Sequence, residues 1–312
     1  MDQPRQRESS ILSRGDHPFI PLRAKIARGL TWLSLLVVSS AQAWGPHSEI
    51  TQAALDALGT NEALAIHLGA HAQRLTNTCW MGDFFGVIVE DPAELFFADD
   101  YLLFPEAPAY FGHIGPEIPS AFRPFFGRAV RALQTENPAN AARWIGALLH
   151  FVQDAGCPPH AAGLRGNLHS NMENWIETNQ IRLADYRPRA LGATEAEALQ
   201  GLLREMDERI PQAEERGRRL RLPVEIGNRN AVKAPMLESA LDGARLTADL
   251  LHTLGQFASG QTRGTAALVG TVSGQVPVGL ERFPAKVVVQ GKPFSTLADL
   301  AGRFEFRQLP PG

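Results

Sequence analysis

Chemistry concentrates in the stretch His150-Phe-Val-Gln-Asp154-Ala-Gly-Cys157-Pro-Pro-His160. On a helix, His150 and Asp154 share a face one turn apart. Pro158 and Pro159 then stop that helix and turn the chain, which can carry His160 back toward the same pocket. A short way on, His169-Ser-Asn-Met-Glu173 repeats the device, with an imidazole and a carboxylate at i and i+4. Each pair is a chelating bite that suits Zn²⁺, which takes histidine nitrogen and carboxylate oxygen at about 2 Å. One such pair is commonplace on a helix surface. Two of them within 24 residues, with His160 between, point to a metal site.

The elements that must hold these side chains are helical. From Ser48 to about Ser259 the apolar positions recur at helical spacing. Ser48 suits an N-cap for a first helix that ends at Gly59. Further amphipathic stretches cover Glu62–Leu75, Ala121–Gln134, Pro138–Gln153, Ser170–Ala184, Ala193–Arg209 and Pro235–Phe257. Pro138 fits the first turn of its helix, where the missing N–H costs nothing. Asp83–Gly115, rich in aromatics, Pro and Asp, reads as a long structured loop. The expected fold class is all-α, a helical bundle with a site built between helices. After Ser259 the composition switches. Gly260–Gly264 reads as a linker, and Ala266–Val272, Lys286–Gln290 and Arg303–Phe306 are rich in β-formers.

Residues 1–43 read as an export signal. Arg23, Lys25 and Arg28 precede the apolar run Leu30–Val38, and Ala41-Gln-Ala43 is a small-x-small cleavage site before Trp44. The apolar run is about half the roughly 20 residues that span a bilayer. Secreted or periplasmic localisation is expected. The whole chain has 312 residues, 44% hydrophobic and 20% charged, which suits a globular protein and excludes disorder or a collagen-like repeat. Its formal net charge is −3, and removing residues 1–43 takes six basic and three acidic side chains, leaving about −6. That balance gives no general attraction to nucleic acid or anionic membranes. Two cysteines, Cys79 and Cys157, exclude a disulfide-rich scaffold and a four-thiolate zinc site. In an oxidising compartment they form a disulfide or stay as two buried thiols.

"HFVQDAGCPPHAA" followed by "NLHSNMENWIET" resembles the signature of the bacterial zinc-dependent phospholipase C family, whose fold is shared with the fungal single-strand zinc nucleases. The family pattern is His-x3-Asp-x5-His, then His-x3-Glu or His-x3-Asp, with a Trp at the mature N-terminus. Cleavage before Trp44 delivers that residue. The resemblance spans roughly residues 44–257 and is dense around 44–50, 80–85 and 144–178. It implies about three Zn²⁺ per chain. One would take Asp83, His113, His150 and Asp154; a second His160, His169 and Glu173; a third the backbone N and O of Trp44, with His47 and Asp154. His67 and His71 rival His47, although they suit ordinary polar positions on a helix face. Asp83, in Trp80-Met-Gly-Asp83, is implied as both ligand and catalytic general base. Phe84 and Phe85 suit either cation–π contact with a choline, stacking on a base, or the core.

The implied activity is phospholipase C: hydrolysis of a glycerophospholipid phosphodiester to diacylglycerol and a phosphorylated headgroup, with a phospholipid at a membrane surface as partner. Glu173 in the last ligand position and "PPHAA" resemble the phospholipase version; "NLH" is similar to the nucleases. A secreted single-strand nuclease or nucleotidase is the alternative. A metal-binding or adhesion-type member without activity is a further one. The segment 260–312 resembles the start of a carboxypeptidase-regulatory-like β-sandwich repeat and is expected to be incomplete. It adds no visible chemistry.

Overall fold

The helix that carries His150 and Asp154 is buried along most of its length. In a computed structural model that describes residues 45–79, 115, 118–259, 266–274, 286–290, 295–298 and 301–309, this helix, α5, runs Pro138–Ala155. Asn137 caps it by accepting from the Asn140 N–H at 2.8 Å, and Pro138 occupies the first turn. From Asn140 to Ala155 every residue is buried, so the helix is enclosed on all sides rather than presenting one face. Small residues let neighbours close in. At Gly146 a Cβ would overlap Thr78.

Around it stand α1 (His47–Leu58), α2 (Ala63–Leu68), α3 (Arg74–Thr78), α4 (Phe122–Thr135), α6 (Pro158–Ala161), α7 (Gly166–Asn174), α8 (Glu195–Glu225) and α9 (Arg229–Ser259). Two apolar clusters hold them. One centres on Phe122, Phe125, Trp144 and Phe151 from α4 and α5. The other joins Ile50, Ala53, Met172, Leu220, Val232 and Met236 from α1, α7, α8 and α9. The described body is helical, as the periodicity implies.

Several element ends differ from the sequence reading, among them the start of the last helix, which runs from Arg229 rather than Pro235. α1 starts at His47 rather than after Ser48, whose hydroxyl instead donates to Thr76 O at 2.8 Å. The stretch 62–75 is broken into α2, a 3₁₀ turn at Gly69–His71, and α3, because Gly69 takes φ +54°. The helix expected to reach Ala184 stops at Asn174. Beyond it, the backbone N–H of Arg189 and the Tyr186 hydroxyl donate to the buried Asp249 at 2.9 and 2.8 Å, tying the irregular chain to α9. α8, expected to end at Arg209, continues through Pro211 and Pro223 to Glu225. A helix-interior proline costs about 3 kcal/mol. The burial of Ala213, Gly217, Leu220 and Val224 on the far side of Pro211 offsets it.

The C-terminal segment forms two antiparallel pairs: β1 (Ala266–Thr271) with β4 (Arg303–Leu309), and β2 (Lys286–Val288) with β3 (Ser295–Leu297). The short β3 has no counterpart in the sequence reading. Asn137 donates to Thr296 Oγ1 at 2.9 Å, so the pair touches the N-cap of α5. Among the described residues no helix is long and apolar enough to cross a membrane. The segment 1–43, Trp44, nearly all of the 83–115 loop and the 260–264 linker lie outside the described residues.

Candidate metal centre

α5 places His150 and Asp154 on one face, as their spacing requires, with His150 Nε2 3.2 Å from Asp154 Oδ2. The first turn of α1 brings His47 to the other oxygen, its Nε2 3.1 Å from Asp154 Oδ1. The two imidazole rings lie 4.6 Å apart. Each oxygen of one carboxylate therefore faces a different histidine.

The turn after α5 is built from backbone bonds. Cys157 N–H donates to Asp154 O at 3.0 Å, and Ala161 N–H donates to Cys157 O at 2.9 Å, which folds Pro158–Ala161 into the single-turn α6. His160 is thereby returned to the site, as the two prolines suggest. Its Nδ1 lies 3.5 Å from Asp154 Oδ2 and its Nε2 2.8 Å from Glu173 Oε1. On α7, His169 Nε2 lies 3.0 Å from the same Glu173 oxygen. The His160 and His169 rings are 4.5 Å apart. His160 thus links the two carboxylates into one continuous cluster. Asp154 and His150 are 0% exposed, Glu173 1%, and His47 and His160 2%.

The proton positions follow from the partners. His150 Nδ1 sits 2.9 Å from Cys79 O, and His169 Nδ1 sits 3.1 Å from Leu164 O. A carbonyl only accepts, so in both rings Nδ1 carries the hydrogen. His47 Nδ1 donates in the same way to Gln153 Oε1 at 2.6 Å. Gln153 is held in turn by donating to Thr51 Oγ1 at 3.0 Å and Thr247 Oγ1 at 3.3 Å. In the neutral tautomer so fixed, Nε2 is a lone pair aimed at a carboxylate oxygen. Two acceptors at 3.0–3.2 Å repel unless a positive charge joins them. Either an added proton or a metal cation supplies it. Histidines that bind metals have this anchoring of the remote nitrogen.

Glu173 adds a second sign. Its Oε2 is buried and has no hydrogen-bond partner among the described residues. A buried, unsatisfied carboxylate oxygen is costly unless a cation meets it. Burial alone pushes the Glu173 carboxyl up, but the hydrogen bonds and charges of His160 and His169 outweigh it and hold the group below its ordinary value. The donor set is nitrogen and oxygen with Cys157 Sγ close by, which fits zinc. His47, His150 and Asp154 offer donors within 4.8 Å of one another, and so do Cys157, His160 and Glu173.

Of the predicted ligands, His47, His150, Asp154, His160, His169 and Glu173 are brought together. Trp44, Asp83 and His113 lie outside the described residues, as do Phe84 and Phe85. Described neighbours of two of them touch the site. Gly45 lies against the backbone of Glu173, and the Gly115 N–H donates to His160 O at 3.0 Å. His67 and His71 stand outside both donor groups, His71 exposed. His252 faces Glu62 Oε2 at 3.2 Å. Cys79 and Cys157 are both free and buried, so the disulfide alternative gives way to two thiols. Gln153, Thr51 and Thr247 escaped the sequence reading. Only Gln153 had a signal, its place beside Asp154 in the motif.

No protein-family model matches the chain, and no curated protein matches it. Among solved structures, it is similar to an alpha-toxin of Clostridium perfringens from the avian strain SWCP. That match has 14% identity and a TM-score of 0.47, over 86% of this chain and 85% of that one. An alpha toxin from Clostridium absonum is similar at 15% identity and a TM-score of 0.45, over 69% of this chain and 64% of that one. At these levels neither likeness assigns an activity.

Proposed function

We propose that this chain is an exported zinc-dependent phosphodiester hydrolase of the phospholipase C type, which releases diacylglycerol and a phosphorylated headgroup from glycerophospholipids. One observation carries the metal reading: the buried His47 and His150 and the half-buried His169, whose Nδ1 hydrogens are committed elsewhere, aim Nε2 lone pairs at Asp154 and Glu173. The resemblance of the same residues to the zinc phospholipase C signature supports the reaction class, and Glu173 in the last ligand position supports lipid over nucleic acid.

Asp154 turns one oxygen toward His47 and one toward His150 and would serve an ion on each side. By the resemblance, the backbone of Trp44 would add to the His47 side, and Asp83 and His113 to the His150 side. His160, His169 and Glu173 form the remaining centre. Divalent ions bound there supply Lewis acidity, acidifying water and neutralising phosphate oxygens. Gln153, Cys79 O and Leu164 O fix the imidazoles so that no reorganisation is needed. By the resemblance, Asp83 would take the proton of the attacking water. Residues 1–43 are the export signal, 44–259 the catalytic body and 260–312 an appended β segment.

The test is a parallel assay of purified mature protein on phosphatidylcholine micelles and on single-stranded DNA, with and without chelator. Chelator-sensitive release of diacylglycerol is expected. Cleavage of DNA alone would replace the lipid by a nucleic acid, and full activity in metal-free protein would overturn the metal reading.

A further inference from the structure

We propose that Cys157 is a thiolate ligand in the centre of His160, His169 and Glu173. The inference rests on the metal reading above. It adds a ligand that the motif pattern does not contain.

Cys157 is 0% exposed, and its Sγ lies with a His160 nitrogen and a Glu173 oxygen inside one 4.8 Å group. The backbone explains the convergence. Cys157 directly precedes α6, and the Ala161 N–H to Cys157 O bond closes a single turn that sets Cys157 and His160 on the same side. The other thiol differs: Cys79 Sγ donates to Thr76 O at 3.5 Å, within its own helical turn. His169 joins from α7 through the Glu173 oxygen at 3.0 Å. The orphan Glu173 Oε2 marks the same place as short of positive charge.

One sulfur, two nitrogens and one oxygen form a tetrahedral zinc set. A thiolate and a carboxylate also cancel the two charges of a divalent ion, and a neutral centre costs least among donors as buried as Cys157, His160 and Glu173. On binding, the S–H bond breaks, the sulfur–metal bond forms, and the proton leaves to solvent.

Cobalt(II) is the probe. Mature protein stripped of zinc is loaded with Co²⁺, and uptake is counted by elemental analysis beside the absorption spectrum. An intense thiolate-to-cobalt band in the near ultraviolet is expected, retained in Cys79→Ser and lost in Cys157→Ser. Because Cys79→Ser leaves Cys157 untouched, the assignment stands even where Cys157→Ser does not fold. Cobalt bound without that band, or a band lost in Cys79→Ser, overturns the thiolate ligand and leaves the metal reading intact. No cobalt uptake at all overturns the metal reading itself.

Discussion

A histidine that gives its Nδ1 hydrogen to a carbonyl has its other nitrogen's role decided for it, and His150, His169 and His47 are all in that position. Gln153 is the tuneable member, because a side chain rather than backbone receives the His47 hydrogen. Gln153→Leu should weaken metal binding at the Asp154 end about 10–100-fold, the range for such supporting partners, as read by chelator competition; unchanged affinity would show that Gln153 does not orient His47. His150→Ala and His169→Ala should each lower zinc content and abolish phosphodiesterase activity. Glu173 carries a pH prediction for the metal-free protein. Its carboxyl is held below the ordinary 4.5, so its contribution to stability is full above that value and is lost as pH falls through the lowered one. The melting temperature should drop over that acid window, and the drop should shrink in Glu173→Gln. The i, i+4 pairs were legible because helix geometry alone puts both groups on one face. Gln153 was not, since its role depends on where α1 packs.

Elements reach the site through close approaches. α8 presses on α6 at Gly217, where a Cβ would overlap Pro158 O and the Ala162 side chain. α6 carries His160, so Gly217→Val should cost about 1–3 kcal/mol by overpacking and also loosen the zinc held through His160. Thermal melts with and without chelator separate the two effects. A variant destabilised equally in both would show that α6 yields without moving the ligand. The existence of the long helices was readable from periodicity, whereas several ends were not. The amphipathic stretch read for α8 ends at Arg209, before Pro211, and packing against neighbours carries the helix past it. Over Ser170–Ala184 the apolar spacing implies a helix, but the helix ends at Asn174, and further on the Arg189 N–H and the Tyr186 hydroxyl find a buried acceptor in Asp249.

For the molecule as a whole, both apolar clusters hold chain neighbours of the candidate ligands, Phe151 and Ala155 in one and Ile50 and Met172 in the other. Ligands from α1, α5, α6 and α7 therefore join separate parts of the chain, and metal bound only by the folded state stabilises all of them. At a free zinc concentration about 100 times the dissociation constant, the gain is about 2.7 kcal/mol, and chelation should lower the melting temperature accordingly. The composition switch after Ser259 marked the β segment correctly. It could not show that Phe306 is 0% exposed or that Thr296 takes a hydrogen bond from Asn137, because both depend on contacts distant in sequence. Protein that retains residues 1–43 should bind one zinc fewer than mature protein, since the Trp44 amine is then a peptide nitrogen.

The central claim is that cations join these imidazoles to these carboxylates. Anomalous diffraction at the zinc edge, on crystals of mature protein purified without chelator, tests it directly. Peaks between His47, His150 and Asp154, and among Cys157, His160, His169 and Glu173, are predicted. A map without a divalent-metal peak in either place, with protons left to bridge the histidines and the acids, would contradict it.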